Sequence, residues 1–320
     1  MKSLCMRFLF PIWVALGAHA EFFESHLQDF STTSYQESVE NLFQSFEKDH
    51  PDFCQKQPKG SVGIKASTVA GEGLSTPLAL VEGVITALEK RGYKRESIII
   101  WDKSAHKLRA AGLLPPLSAF SKPIFKGCPV KSFDDPSATD PNWFYESKLA
   151  PNFAYAPRYP HPITSLAYAE EMQRSYLPVE LFLDVDFWIH LPVALEHPSL
   201  GPWCALADRS VGAITNSERF FSAPRHLSVA CAEIASIPEL KNAHLFTILS
   251  LECAQYVGGL RYFPRYTIQR PLLWLSSDPV AIDEAWLKLL NRHRTQKGFE
   301  PYEACAVLEY VKGIEGVYPQ

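Results

Sequence analysis

The chain has 320 residues, 47% of them hydrophobic, with 31 basic against 35 acidic side chains and a net charge of −4. That is apolar material enough for a substantial core, as one large α/β domain or two smaller ones. An acidic chain without basic clusters is a poor nucleic-acid binder, so no nucleic-acid partner is expected. The densest basic spot, "NRHRTQK" at Asn291–Lys297, reads as a solvated helix end.

The first twenty residues stand apart. Lys2 and Arg7 precede the apolar run "FLFPIWVALGA", Phe8 to Ala18, and "AHA" sets small residues at Ala18 and Ala20 before Glu21. This is the layout of a signal peptide. The run is about 11 residues, short of the roughly 20 needed to span a bilayer. An exported protein, periplasmic or secreted, is therefore expected, with no membrane span after cleavage. Cleavage at Ala20 leaves 29 basic against 35 acidic residues and six cysteines: Cys54, Cys128, Cys204, Cys231, Cys253 and Cys305. None forms a CxxC motif, so iron–sulfur and zinc-ribbon spacings are absent. Disulfide pairing and buried free thiols both fit.

Residues 21–60 read as an N-terminal extension, partly helical around "YQESVENLFQSFEKDH". Regular alternation begins at Ser61. "SVGIKAS" is a strand, "TVAGEGLS" a loop, and "TPLALVEGVITALEKRGY" a helix with Thr76 as N-cap and Pro77 in its first turn. Leu78, Val81, Ile85 and Leu88 form one buried stripe, and Gly92 ends it. "SIIIWD", Ser97 to Asp102, is the second strand of a βαβ unit. Between Cys128 and Pro178 lie eight of the 25 prolines. Proline disfavours helix interiors and central strands, so 128–178 reads as an irregular insertion with one helix near "ITSLAYAEEMQRSY". "VELFLDVDFWIHLP", Val179 to Pro192, reads as a strand. Helices follow near Trp203–Gly212 and Leu227–Ala235, then the strands "HLFTILSLECA" and "PLLWLSS". "DPVAIDEAWLKLLNRH" and "PYEACAVLEYVKG" close the chain as helices. The expected fold of 61–320 is α/β, a mostly parallel or mixed sheet flanked by helices.

In open α/β sheets ligands bind beyond the carboxyl ends of the strands, so polar residues there form the candidate site. After Lys65, "ASTVAGEGLST" offers Ser67, Thr68 and a helix start whose amides suit a phosphate or carboxylate. Its spacing is not GxGxxG and lacks GK[ST]; a plain surface loop fits as well. "WDKSAH" sets Asp102, Ser104 and His106 at a strand end, where Asp102 suits binding a metal, orienting a histidine or capping the next helix. "IHLPVALEH" holds His190, Glu196 and His197. Two histidines beside an acid suit metal ligation or general acid–base work, but no zinc motif matches, and structurally satisfied histidines fit too. In "SSDPVAID", Asp278 before Pro279 is an expected cap. Asp283 falls off the helix's polar face, between leucines, and needs a donor, a cation or a water. G-x-S-x-G is absent, no triad follows from spacing, and no metal is assigned.

Taken together, "VGIKAS…LSTPLALVEGVITALEKRGYKRESIIIWDKS", "FWIHLPVALEH" and "SSDPVAIDEAW" resemble the family called domain of unknown function 362. That family reads roughly V-x-I-K-x-N, a T-x-P helix ending in R-G, a strand ending G-D-S, I-N-x-P-K-x-K-T-H, and S-x-D-P-V-A-x-D. The similarity covers about Ser61 to Gly316, with the insertion diverging. Lys65, Asp102, Ser104, Pro192, His197, Asp278 and Asp283 match. Ser67 and His190 stand in place of asparagines, Val193 and Leu195 in place of lysines, and Glu196 in place of threonine. Ala207 and Asp208 replace a lysine–asparagine pair, and Glu252 an aspartate. Many members carry a ferredoxin-like iron–sulfur segment; this chain lacks those cysteines, so no such cluster is expected, and the cofactor stays unknown. The resemblance implies Asp102, His197 and Asp283 as catalytic candidates. By their places at the predicted strand ends, Lys65, Ser67, Ser104, His190, Glu196, Glu252 and Asp278 are expected as contacts to a small anionic molecule or a metal. The missing lysines leave open a non-catalytic binding or structural protein on the same scaffold.

Overall fold

Runs rich in Ile, Val, Leu and Trp make the strands, and the polar residues closing those runs mark their carboxyl ends. The computed structural model describes residues 21–51, 53, 60–134, 138–147, 173–221 and 224–317. Residues 1–20 and Cys54 lie outside them. The strands are β1 (Phe22–His26), β2 (Ser61–Ala66), β3 (Ile98–Asp102), β4 (Ile124–Phe125), β5 (Cys128–Ser132), β6 (Phe144–Glu146) and β7 (Arg174–Tyr176). They continue with β8 (Val185–Leu191), β9 (Leu195–His197), β10 (Gly201–Trp203), β11 (His244–Ser250), β12 (Ala254–Gln255), β13 (Thr267–Ile268) and β14 (Leu272–Ser276). The helices are α1 (Thr32–Asp49), α2 (Leu78–Lys90), α3 (Ala105–Ala110), α4 (Val179–Leu183) and α5 (Ala205–Arg209), then α6 (Pro224–Ala235), α7 (Pro238–Ala243), α8 (Pro279–Gln296) and α9 (Ala306–Val317).

Eight strands form one mixed sheet in the order β1-β14-β11-β8-β2-β3-β5-β4. The middle five run parallel, while β14 and β4 run against their neighbours. The expected α/β class is therefore present. From β2 the chain moves outward through β3 to β5, then returns on the other side of β2 with β8 and β11. The strand order thus reverses between β2 and β8. Beyond the strand ends at such a reversal is where open α/β sheets bind ligands.

Alternation sorts the side chains. Val62, Ile64, Ile100, Ile189 and Ile248 face α1 and α2. Trp101 and Trp188 face the layer that contains α4 to α7. The segment read as an N-terminal extension is built into this architecture. β1 pairs along β14, from Phe22 opposite Ser276 to His26 opposite Leu272. α1 lies against α2 at Gly83, where a Cβ would sit 3.2 Å from Val39 Cγ2 and 3.3 Å from the Tyr35 carbonyl oxygen. Arg91 of the α2 end pairs with Glu40 and Glu47 of α1.

Local expectations shift in four places. Helix α2 starts at Leu78 and has no side-chain cap; Thr76 instead donates its hydroxyl to the Leu191 carbonyl at 2.6 Å, tying the loop to β8. The stretch from Val179 splits into α4 and β8, because Pro178 starts a helical turn that Asp184 ends. β5 belongs to the main sheet, beside β3, although it lies in the stretch read as an insertion. Of the helix expected near "ITSLAYAEEMQRSY", residues 163–172 lie outside the described residues, while Arg174–Tyr176 is a strand paired with β6. Among the described residues no helix is long and apolar enough to cross a membrane, and Cys128, Cys204, Cys231, Cys253 and Cys305 are free thiols.

Phe43 of α1 is fully buried against Phe246 of β11, ring centroids 5.1 Å apart. Phe43→Ala is expected to lower urea-unfolding stability by about 3–5 kcal/mol; an unchanged midpoint would make α1 an appended arm.

Candidate functional site

The register places two of the expected site residues side by side at the reversal point: Lys65 of β2 lies opposite His190 of β8. Alternation turns both toward the face that α5 covers. Asp208 of α5 comes down between them. Its Oδ2 takes the Lys65 ammonium at 2.8 Å and meets His190 Nε2 at 2.8 Å. Its Oδ1 accepts the Ser67 hydroxyl at 2.9 Å. Asp102, ending β3, receives Lys65 Nζ at 3.2 Å on Oδ1. The Thr68 amide and hydroxyl fill its Oδ2 at 2.7 and 2.6 Å. The third ammonium hydrogen goes to the Ala66 carbonyl at 3.1 Å.

All six side chains are buried; Lys65 and His190 are 0% exposed and Asp102, the most open, 4%. One ammonium therefore faces two carboxylates out of water. Burial alone would lower the Lys65 pKa, but the Asp102 and Asp208 charges outweigh it and raise it. Burial would likewise raise Asp208, yet Lys65 and His190 hold it down at about 2. For His190 burial wins over the Asp208 hydrogen bond, and its pKa falls to about 4. At neutral pH the imidazole is thus neutral, with its proton on Nε2 facing Asp208. Among the described residues Nδ1 has no hydrogen-bond partner, which suits the lone-pair side of that tautomer.

The other candidates sit elsewhere. Asp283 of α8 accepts the amides of Ala205 at 2.6 Å and Leu206 at 3.1 Å, the first turn of the five-residue helix that carries Asp208. Asp278 caps α8 through the Val280 amide at 2.8 Å. Glu196 accepts the amides of Gly258 and Gly259 at 3.0 Å each and the Tyr302 hydroxyl. His197 takes the Ser199 amide on Nδ1 at 3.2 Å and packs its ring on Trp203 and Phe221. Glu252 accepts the Tyr35 hydroxyl at 2.7 Å. Ser104 precedes α3 without a side-chain cap bond; Asp134 accepts the Ala105 amide instead, at 3.0 Å. Among the described residues, no hydrogen bond links His197, Asp102 and Asp283 to one another.

Lys65, Ser67, Asp102 and His190 therefore converge, while Glu196, His197, Glu252, Asp278 and Asp283 each bond elsewhere in the fold and Ser104 lies outside the cluster. Asp208 and Thr68 complete the cluster. Asp208 entered the sequence reading only as a departure from a family pattern. The signal available was an acid inside the otherwise apolar stretch "CALAD". Among the described residues, no group of three or more His, Cys, Asp or Glu side chains is placed to hold a metal ion.

No family model matches the chain, and no curated protein matches it. Among solved structures, a Thermotoga maritima protein superposes at a TM-score of 0.41 with 10% identity, covering 88% of this chain. The match spans 59% of that protein's length.

Two pH effects of opposite sign follow. Burial raises the folded-state pKa of Asp283 to about 7, from an ordinary 3.8. The folded state then holds the extra proton, so this group's contribution is full below about 4 and falls as pH rises to about 7. Asp283→Asn is expected to flatten that fall in a series of urea titrations across this window. For His190 the folded pKa is the lower one, so its contribution is full above the ordinary 6.5 and is lost as pH falls toward about 4. His190→Gln is expected to be less sensitive to acid than wild type between those values.

Proposed function

We infer that this chain is a non-catalytic binding or structural protein on an α/β scaffold of the domain-of-unknown-function 362 type, exported from the cell. The observation that carries this reading is the Asp208 carboxylate, sealed against Lys65, His190 and Ser67 at the strand-order reversal between β2 and β8. In that position an open α/β sheet would hold a ligand's anionic group. Here a side chain of the protein supplies the anion, and the lysine that would meet substrate is neutralised twice. Export is supported by the charged, apolar and small-residue pattern of residues 1–20; intact mass of the protein from its native host is expected to show loss of that segment. An uncleaved chain would contradict export.

A second reading is supported by the same grouping. Lysine, histidine and two carboxylates at a strand-order reversal would suit an enzyme acting on a small anion once Asp208 moved away. Chemical rescue separates the two. In Asp208→Ala, formate is expected to refill the carboxylate position and raise the melting temperature by roughly 1–2 °C, the size of about 1 kcal/mol in a chain of this length. Wild type is expected to show no such shift with formate, phosphate or divalent cations. A saturable shift in wild type that Lys65→Met abolishes would favour the enzyme reading.

A further inference from the structure

The loop between α3 and β4 exposes what a fold ordinarily hides. Leu117 is 82% and Phe120 94% exposed, far above the other large apolar side chains among the described residues. The loop is built to hold them there. Pro115, Pro116 and Pro123 fix its two legs. At the tip the Ser121 amide reaches the Ser118 carbonyl at 3.2 Å, closing a turn with Phe120 inside it. The Ser121 hydroxyl lies 3.0 Å from the carbonyl oxygens of both Pro116 and Ser118, bracing the tip against the incoming leg. The Val130 amide binds the Pro123 carbonyl at 2.8 Å and anchors the base to β5.

Charge surrounds this tip asymmetrically. From Lys103 to Phe133 the sequence holds six Lys or Arg and no Asp or Glu, in a chain whose net charge is −4. Lys103 and Lys107 turn inward, to Glu218 and the Val69 carbonyl. Lys126 pairs with Glu82 at 3.0 Å. Lys122 and Lys131 are exposed and have no acidic partner among the described residues. β4 pairs with β5 as Ile124 opposite Pro129, and the Val130 amide bound to the Pro123 carbonyl holds the leg that carries Lys122 beside the strand that carries Lys131. Like charges held on neighbouring segments repel, and no acid among the described residues is paired with either lysine to relieve them. An external negative surface would.

We propose that this loop is a membrane-docking tip that inserts Leu117 and Phe120 into the interface of an anionic lipid bilayer while Lys122 and Lys131 meet the headgroups. An apolar tip above a lysine pair matches the layered chemistry of such an interface, apolar inside and negative outside. An aliphatic side chain at the tip favours lipid over a nucleic acid, whose bases would call for flat stacking partners. The test is co-sedimentation of the full chain with vesicles of mixed phosphatidylglycerol and phosphatidylcholine. Wild type and variants carry the same residues 1–20, so any binding through those residues cancels in the comparison. Wild type is expected to bind these vesicles more tightly than pure phosphatidylcholine ones, and to release in about 0.5 M salt. Leu117→Ser/Phe120→Ser is expected to weaken binding roughly tenfold or more, and Lys122→Gln/Lys131→Gln similarly, both with unchanged melting temperature. Equal binding of variants and wild type, or no preference for the anionic vesicles, would overturn the proposal. So would salt-sensitive binding to polyuridylate or polyglutamate without binding to vesicles.

Discussion

The Asp208 carboxylate, locked between Lys65 and His190, is the constraint on which the centre of this protein depends. Burying an ammonium is costly, and only well-placed carboxylates offset the loss of water. Lys65 can end β2 on a fully covered face because Asp208 and Asp102 both reach it. His190 can end β8 beside it because it stays neutral and gives its one proton to Asp208. Remove the shared carboxylate, and His190 loses its partner while Lys65 keeps only Asp102.

That constraint passes outward to α8. A five-residue helix is too short to hold itself, and α5, which carries Asp208, is that length. Asp283 anchors its first two amides. Asp278 in turn starts α8, and the Ser276 hydroxyl, which accepts the Asp278 amide, reaches the Glu21 carbonyl at 2.6 Å. "SSDPVAID" therefore links the first strand, the last strand and the buried cluster. Asp283 acts on the cluster at one remove, as a positioning residue.

Much of this was legible in the sequence. The βαβ unit around "TPLALVEGVITALEKRGY", the buried strand before "SSDP" and the cap at Asp278 follow from periodicity and helix-end chemistry. Asp283 could be singled out as an acid needing a buried partner, because its place on the helix wheel conflicts with its charge. What stayed hidden depended on contacts between distant segments. Nothing local to "CALAD" says that Asp208 meets Lys65, since 143 residues separate them. His190, Glu196 and His197 are close in sequence, yet β8 and β9 send them to different places. β1 could not be tied to β14 from pattern alone, because Glu24 and its partner Trp274 stand 250 positions apart.

The most direct test of this account is a double-mutant cycle in urea on Lys65→Met, Asp208→Asn and the pair. Lys65→Met alone leaves two buried carboxylates without their cation and is expected to cost about 3–5 kcal/mol. Asp208→Asn alone still leaves Lys65 paired with Asp102, so it is expected to cost less. Adding Asp208→Asn to Lys65→Met removes one stranded charge and is expected to recover part of the loss, a coupling of about 1 kcal/mol or more. Losses that simply add would contradict the claim that this carboxylate and this ammonium hold the site together.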